Sequence, residues 1–102
     1  MIIYNVTVKV DTDIEADWLD WMKTIHIPDV MNTGLFTNYR ICRILNMHDQ
    51  EGTSYAIQYT APDMAALHRY QTQHAPALQK DHIQRYGDRA VVFRTLMEII
   101  ED

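Results

Sequence analysis

The sequence contains few of the residues from which common catalytic and binding motifs are built. Its 102 residues include only three glycines, three prolines and one cysteine. So few glycines exclude a phosphate loop of the usual kind, and neither a GxSxG elbow nor an HExxH zinc motif is present. The single Cys42 cannot form an internal disulfide, which indicates a reducing compartment. Because Cys42 has no CxxC partner, we expect a buried, inert thiol.

Positive charge and long apolar runs are also scarce. Lysine and arginine total 9 against 14 acidic residues, and the net charge is -5. Such a protein repels phosphates, so nucleic acid is not an expected partner. No apolar run approaches the roughly 20 residues that cross a bilayer, and the first residues lack a signal-peptide pattern. We therefore expect a cytoplasmic protein that does not bind a membrane.

The length and the two periodicities of the sequence predict one domain over residues 1–102. A chain of this size, 47% hydrophobic, can build one core and has no room for a second. Strands are predicted at "IIYNVTVKV", "LFTNYRICRILNM", "SYAIQYTA" and "AVVFRTLMEII", where apolar and β-branched residues alternate. We expect a bulge or a twist near Arg40–Arg43, where the alternation slips, and a hairpin loop at "HDQEGT".

Two helices are predicted between these strands. The first begins at a capping box formed by Thr12 and Glu15, and it ends near His26 because a proline follows two residues later. The second has Pro62 in its first turn and stops at Gly87. The order β-α-β-β-α-β predicts an α+β, ferredoxin-like fold, with a four-stranded antiparallel sheet and both helices on one face.

The other face of this sheet is predicted to form a protein interface. Its composition mixes polar and apolar side chains: Ile3, Asn5, Thr7, Ala56, Gln58, Val92, Arg94 and Leu96. Such a mixture suits a wet interface better than bulk water, and a second copy of the chain is the simplest partner. A solvated sheet face is the alternative.

The second helix contains the best candidate for a catalytic residue. If that helix is continuous, His74 lies about 20° from Leu67 on the midline of the buried stripe, whereas His82 lies about 60° away on its flank. The two rings cannot chelate one ion, and no metal site is predicted. His74 is either a hydrogen-bonded core residue or a pocket residue that binds a ligand or moves a proton. Pro76 either opens space beside His74 or starts a second helical segment.

The first helix supplies further candidates. An apolar stripe at helical spacing runs along it: Trp18, Trp21, Met22 and Ile25. A place in the core is the main prediction for this stripe, and a contact between Trp21 and a ligand is the alternative. His26 lies on the rim of the stripe, where a cationic imidazole would stabilise the helix C-terminus. Asp29 either orients His26 or faces water.

Four segments, in order, resemble the uncharacterised bacterial family called domain of unknown function 4286. They are "HIPDVMNTGLF", "EGTSYAIQY", "HAPALQKDH" and "FRTLMEII". The resemblance covers essentially the whole chain and implies the dimeric α/β barrel superfamily, in which two ferredoxin-like protomers pair their sheets. It implies no established activity. The superfamily includes cofactor-free monooxygenases, small-molecule-binding proteins and haem-binding or haem-degrading enzymes, with a pocket between sheet and helices.

The resemblance to the haem-degrading members is partial. Those enzymes carry a histidine on the second helix and an asparagine on the first strand, and His74 and Asn5 match these places. They also use a tryptophan near the second helix, whereas both tryptophans of this chain lie in the first helix. No cofactor is therefore expected, and haem binding is the weaker interpretation.

Together these observations predict a homodimer that binds a small, partly apolar molecule in a pocket between sheet and helices. The candidate ligand contacts are Asn5, Trp21, His26, Asp29, His74 and His82. His74 is the candidate for assisted proton transfer or oxidation. A non-catalytic structural or interaction protein is the alternative class, and the sequence does not separate an enzyme from a binder.

Overall fold

A computed structural model describes residues 1–45 and 52–102, and its strands form one antiparallel sheet. The strands are β1 (Ile2–Asp11), β2 (Asn38–Arg43), β3 (Gly52–Ala61) and β4 (Ala90–Glu98), in the order β2-β3-β1-β4. This is the order of the split βαβ arrangement, so the predicted ferredoxin-like α+β fold is confirmed. Most of the predicted hairpin loop at 48–53 lies outside the described residues; its last two residues belong to β3.

In the described ranges, the helical layer consists of four helices and three short turns. The helices are α1 (Glu15–Trp21), α2 (Ile27–Met31), α3 (Met64–Gln73) and α4 (Ala75–Tyr86). A π-helical turn, Met22–His26, joins α1 to α2, and 3-10 turns occupy Thr12–Ile14 and Gly87–Arg89. Within the two described ranges, no helix combines the length and apolar content that a membrane span requires.

The predicted capping box at the start of the first helix does not form. Thr12 lies in the 3-10 turn, and no side chain caps the N-terminus of that turn or of α1. The carboxylate of Glu15 instead accepts hydrogen bonds from the Tyr55 hydroxyl and from Oγ1 of Thr53, at 3.2 Å for the latter. The prediction is wrong because the Glu15 carboxylate bonds to hydroxyl groups of β3 and not to a backbone N–H at the start of its own helix.

The first helical region extends beyond its predicted end at His26, because a π turn continues it into α2. The backbone N–H of Ile27 bonds to the carbonyl of Met22, five residues earlier, so the turn holds one residue more than an α-helical turn. This extra residue rotates Ile25 outward to 48% exposure, although the spacing predicts it on the buried face. Pro28 then lies in the first turn of α2, where its missing N–H is tolerated.

The second helical region begins at a different residue from the one predicted and ends where expected. The carboxylate of Asp63 accepts a hydrogen bond from the backbone N–H of Ala66 at 2.8 Å and so caps α3. The predicted place of Pro62 in the first helical turn is therefore wrong, since this proline precedes the cap. Gly87 ends α4 as predicted, with a φ of +58° that favours glycine.

The second helical region is interrupted at His74, so the assumption of one continuous helix is wrong. His74 has φ -125° and ψ -40°, and Pro76 lies in the first turn of α4. The alternative in which Pro76 starts a second helical segment is confirmed. The interruption changes which residues of α4 face inward: His82 is 7% exposed, and His74 is half-buried rather than central.

The strand registers correct two predictions about the sheet. The pairing of β2 with β3 is continuous from Asn38 to Arg43, so of the predicted bulge or twist the bulge is wrong. Along β1 and β4, Val6 lies opposite Arg94 and Thr7 opposite Phe93. Residues directly opposite each other share a face of the sheet. Val92, Arg94 and Leu96 therefore lie on the helix-covered face, and their prediction on the uncovered face is wrong.

The face without helices, called the open face below, carries exposed apolar side chains from β4. Phe93 is 63% exposed, Val91 47% and Met97 38%. Cys42 is also exposed on this face, opposite Ala56, and the prediction of a buried thiol is wrong. Hence β4, which lies at one edge of the sheet, places more apolar side chains on the open face than the sequence indicates.

The core lies between the helix-covered face of the sheet and the helical layer. Its largest fully buried side chains come from both layers: Val8, Val10, Trp18, Ile27, Val30, Ile57 and Leu67. Trp21 is 9% exposed and Met22 2%, so the predicted core role of the stripe is confirmed for its two tryptophans and Met22 but not for Ile25. The alternating faces predicted for β3 are confirmed as well, since Tyr55, Ile57 and Tyr59 are buried.

Candidate functional site

A small cavity, called the inner chamber below, lies between the sheet and the helical layer. Its volume is about 30 Å³, enough for one or two water molecules or one small substituent. Its polar lining residues come from three strands, the π turn and the last two helices: Tyr4, His26, Tyr59, Tyr70, Gln79, His82 and Arg94. The chamber therefore collects titratable and hydrogen-bonding groups in an otherwise apolar core.

His82 is held in one protonation state by Trp18. The indole Nε1–H of Trp18, which is fully buried, donates a hydrogen bond to Nε2 of His82 at 3.0 Å. Because an indole can only donate, Nε2 is the unprotonated nitrogen, and the neutral ring carries its proton on Nδ1. Burial, with smaller effects from the charges of His26 and Arg94, lowers the pKa of His82 from 6.5 to about 4. His82 thus presents a neutral ring with an N–H donor.

His26 stacks on Trp21 at the chamber wall. Its ring centroid lies 5.1 Å from that of Trp21, with 28° between the planes, and 6.0 Å from that of His82. Burial lowers the pKa of His26 to about 4, although the carboxylate of Asp81 opposes the change. The imidazole is therefore neutral at pH 7, and the predicted role as a helix-terminal cation is wrong. In the described part of the chain, no residue hydrogen-bonds to the His26 side chain.

Three tyrosine hydroxyl groups near the chamber lack protein partners among the described residues. Tyr4, Tyr59 and Tyr70 are each at most 3% exposed, and the ring of Tyr4 lies 5.6 Å from that of Tyr70 and 6.1 Å from that of Tyr59. No hydrogen bond within residues 1–45 and 52–102 involves these hydroxyls, yet no fully enclosed polar side-chain atom there is unpaired. The hydroxyls therefore reach accessible space. Burial raises the pKa of Tyr59 and of Tyr70, so both remain protonated donors.

Arg94 stands between the inner chamber and a larger depression, called the outer groove below. The outer groove has a volume of about 370 Å³. Tyr4, Gln79 and Arg94 line both cavities, so the two meet at these side chains. The groove exists because the helices leave the second half of β4 uncovered: Leu96, on the helix-covered face, is still 47% exposed. Chamber and groove together form one candidate site with an entrance.

The structure brings three of the six sequence-predicted candidates together. His26 and His82 line the inner chamber, and Trp21 packs against both rings, 5.9 Å from His82. Arg85 lies over Trp21, with its guanidinium carbon 5.5 Å from the ring centroid, and Tyr86 contacts Trp21 edge-on. The wall on this side of the chamber is therefore a packed aromatic unit.

The other three candidates lie elsewhere. His74 lines neither cavity; its ring stacks against Tyr70 at the break between α3 and α4, with centroids 6.4 Å apart. Asp29 is exposed on α2. Asn5 lies on the open face and donates from Nδ2 to Oγ1 of Thr7 at 3.0 Å.

The placement of His74 and Asn5 bears on the haem interpretation. These are the two residues that the resemblance assigns to haem-degrading roles. Asn5 is on the open face of the sheet, whereas His74 belongs to the helical layer on the other side. The sheet therefore separates the two side chains.

Five polar lining residues are absent from the sequence-based candidates. Tyr4 and Tyr59 carry a usable signal, since both fall on the predicted buried faces of their strands, and a buried tyrosine needs a partner for its hydroxyl. Arg94 is missed because the alternating pattern of β4 is compatible with a place on the open face, where Arg94 is predicted. Gln79 and Tyr70 carry no distinguishing pattern in the sequence.

Comparisons with known proteins agree with the geometry of the fold. The sequence profile described as "Domain of unknown function (DUF4286)" matches residues 1–100. No curated protein sequence matches the chain. A dimeric ferredoxin-like protein from an uncultured marine organism is 12% identical with a TM-score of 0.71, over 99% of this chain and 96% of that one.

Two further solved structures share the fold. An ethyl tert-butyl ether d family protein from Bacillus halodurans is 12% identical with a TM-score of 0.69, over 98% of this chain and 100% of that one. HapK from Hahella chejuensis is 11% identical with a TM-score of 0.71, over 100% and 95%. At these identities the similarity establishes the fold and nothing about the ligand.

Proposed function

We propose that this chain, which belongs to the DUF4286 family, binds a small, partly apolar molecule in the inner chamber and outer groove. The observation that carries the proposal is the meeting of two neutral imidazoles with three tyrosine hydroxyls that have no partner among the described residues. The hydroxyls open onto accessible space, where a ligand can reach them, whereas the enclosed polar groups of a core built only for stability pair with one another. The groove, at about 370 Å³, falls within the size range of small-molecule sites.

His26 is the group proposed to accept a proton from the bound molecule. Its ring lines the chamber, is neutral at pH 7 and has no hydrogen-bond partner in the described ranges. With a pKa of about 4 it is a weak base in the empty site. A negative charge developing on a ligand beside it would raise that pKa, so that proton transfer is coupled to binding. His74 lines neither cavity, which favours His26 over His74 for this role.

Native mass spectrometry of freshly purified protein tests the proposed site, because it detects any bound molecule by its mass. We expect wild-type protein to release a small molecule at harsh activation, and Leu96→Trp to retain at least fivefold less of it. Leu96 is half-exposed in the groove, so a larger side chain fills the groove without disturbing the core.

Ile83→Trp is the matched control, because Ile83 is 63% exposed on α4 and lines neither cavity. Its occupancy should equal that of the wild type. Wild-type protein that releases nothing, and whose tryptophan fluorescence does not respond to aromatic and carbonyl fragments at millimolar concentration, would contradict the proposal.

A non-catalytic protein whose histidines only stabilise the core is the second candidate function. The hydrogen bond from Trp18 to His82 favours it, because a buried donor paired with a buried acceptor needs no ligand to explain it. Under this alternative, Leu96→Trp and Ile83→Trp do not differ in the amount of small molecule that native mass spectrometry detects. This alternative leaves unexplained the His26 imidazole and the three tyrosine hydroxyls, for which the described residues supply no hydrogen-bond partner.

The open face is proposed as the interface of a homodimer. Phe93, Val91 and Met97 expose apolar surface there, and exposed apolar patches mark interaction sites. The structural neighbour from the uncultured marine organism is itself described as dimeric. An exposed free Cys42 is compatible with a reducing compartment, and we propose a cytoplasmic location for this dimer.

Substitution of Phe93 by aspartate is expected to convert the dimer to a monomer. A central aromatic anchor typically contributes about 2 kcal/mol or more to an interface, and a buried unpaired carboxylate adds a desolvation penalty. Sedimentation equilibrium should show that the variant self-associates at least 100-fold more weakly than the wild type. Ile83→Asp is the control, since Ile83 has the same 63% exposure on the helical side. A wild-type monomer, or equal behaviour of both variants, would argue against this interface.

A further inference from the structure

We infer that the ligand is an organic carboxylate with a flat, apolar body, and that Arg94 binds its carboxylate group at the junction of chamber and groove. The inference rests on the proposed function and specifies the chemical class of the bound molecule. It is carried by the charges, the donor groups and the two volumes of the site.

Arg94 is a cation with no carboxylate beside it among the described residues. Its side chain makes no ion pair within residues 1–45 and 52–102, and no aspartate or glutamate of these ranges lines either cavity. By contrast, Arg85 lies 3.7 Å from Asp17, and Arg89 lies 3.6 Å from Asp11. A guanidinium is suited to a planar, bidentate contact with a carboxylate. In a chain of net charge -5, Arg94 gives the site a local charge opposite to that of the whole protein.

The lining of the site offers more donors than acceptors. The three tyrosine hydroxyls, the amide of Gln79, Nδ1–H of His82 and the guanidinium of Arg94 can all donate. The strongest free acceptor is the unprotonated nitrogen of His26. Arg94 would repel a cationic ligand, and no carboxylate of the described residues lines the site to offset this repulsion. A neutral ligand would leave the exposed guanidinium of Arg94 without a counter-ion. A carboxylate, which only accepts hydrogen bonds, fits this set best.

The two cavities differ in volume, and this difference determines which part of the ligand each one can hold. The inner chamber, about 30 Å³, is too small for a ring and admits one small substituent. The outer groove, about 370 Å³, can hold a ring system against Pro76 and Leu96. Because Arg94 lines both cavities, a carboxylate attached to a ring in the groove reaches it directly. The charge of Arg94 also lowers the pKa of both chamber histidines, so it acts electrostatically on the place where the ligand would bind.

Matched acid and amide pairs test this inference by isothermal titration calorimetry at pH 7. The probes are salicylate against salicylamide, benzoate against benzamide, and 1-naphthoate against 1-naphthamide. We expect at least one acid to bind wild-type protein tenfold or more tightly than its amide. Arg94→Gln should weaken binding of that acid at least tenfold and leave affinity for the amide within twofold. Arg69→Gln, an exposed arginine of α3 outside both cavities, should change neither.

The outcomes separate the inference from the proposed function. Equal affinities for acid and amide, or an unchanged ratio in Arg94→Gln, would overturn the carboxylate inference and leave the site itself supported. The inference alone would also fall if none of the acids bound while native mass spectrometry released a neutral molecule. Absence of binding by all six probes together with absence of a released mass would contradict both.

Discussion

Replacement of His82 by alanine is expected to lower the free energy of unfolding by about 3 kcal/mol. The variant removes the acceptor of the Trp18 indole N–H, which is fully buried and out of reach of bulk water. It also leaves a void between Trp21 and Tyr86, whose rings lie 5.9 Å and 5.5 Å from the imidazole centroid. Urea denaturation at pH 7, followed by tryptophan fluorescence, measures the change.

A double-mutant cycle isolates the hydrogen bond from the packing. Trp18→Phe removes the donor and leaves Nε2 of His82 unpaired, so this variant should also be destabilised. Once the indole N–H is gone, loss of His82 should cost less, and the two changes should fall short of additivity by about 1 kcal/mol or more. His68→Ala, on the exposed side of α3, is the control and should stay within about 0.5 kcal/mol of wild type. Strict additivity, or a loss below about 1 kcal/mol for His82→Ala, would show that the bond contributes little.

The fold could be predicted from the sequence because each element carries its own local pattern. β1 and β3 alternate between a buried and a less buried face over most of their length, and this alternation survives into the structure. Gly87 ends α4 because its φ is positive, a backbone conformation that favours glycine whatever the tertiary contacts are. These signals, in sequence order, suffice for the split βαβ topology.

The candidate site could be predicted only in part, because its residues depend on helical phase. Two backbone events change that phase: the π turn before Ile27 and the break at His74. The first moves Ile25 outward and leaves His26 at the chamber, and the second buries His82. A prediction that turns every residue by 100° about the helix axis cannot anticipate either the π turn or the break. Hence the sequence identifies the right elements but favours His74 over the two histidines that line the chamber.

The phase of β4 was unpredictable for a different reason. Its two alternating sets, Ala90, Val92, Arg94 and Leu96 against Val91, Phe93, Thr95 and Met97, are similarly apolar. Period two therefore identifies the strand without identifying its buried face. Only the register with β1, which pairs Arg94 with Val6, decides it. Because the two faces of β4 are exchanged in the prediction, Arg94 is left out of the predicted site and Phe93 is left out of the predicted open face.

Stability is expected to fall steeply as the pH drops from about 6.5 to about 4. His26 and His82 each have a folded-state pKa lowered to about 4 from the ordinary value of 6.5. In this window the unfolded chain binds protons that the native protein does not, so acid favours unfolding. Both histidines contribute their full stabilisation above pH 6.5 and lose it progressively below. The combined loss is on the order of a few kcal/mol, discounted at both rings for solvent screening.

Urea denaturation at half-unit steps from pH 7.5 to 4.5 measures this dependence against a double variant, His26→Gln with His82→Gln. The double variant should be less stable at pH 7 and should lose most of the slope, because glutamine does not titrate. His68→Gln, at an exposed position, should keep the wild-type slope. A flat wild-type profile would show that the two imidazoles titrate alike in both states. A slope that persists in the double variant would assign acid sensitivity to other groups. Since protonation of Nε2 is incompatible with the bond from Trp18, the loss of stability should coincide with a change in native-state tryptophan fluorescence.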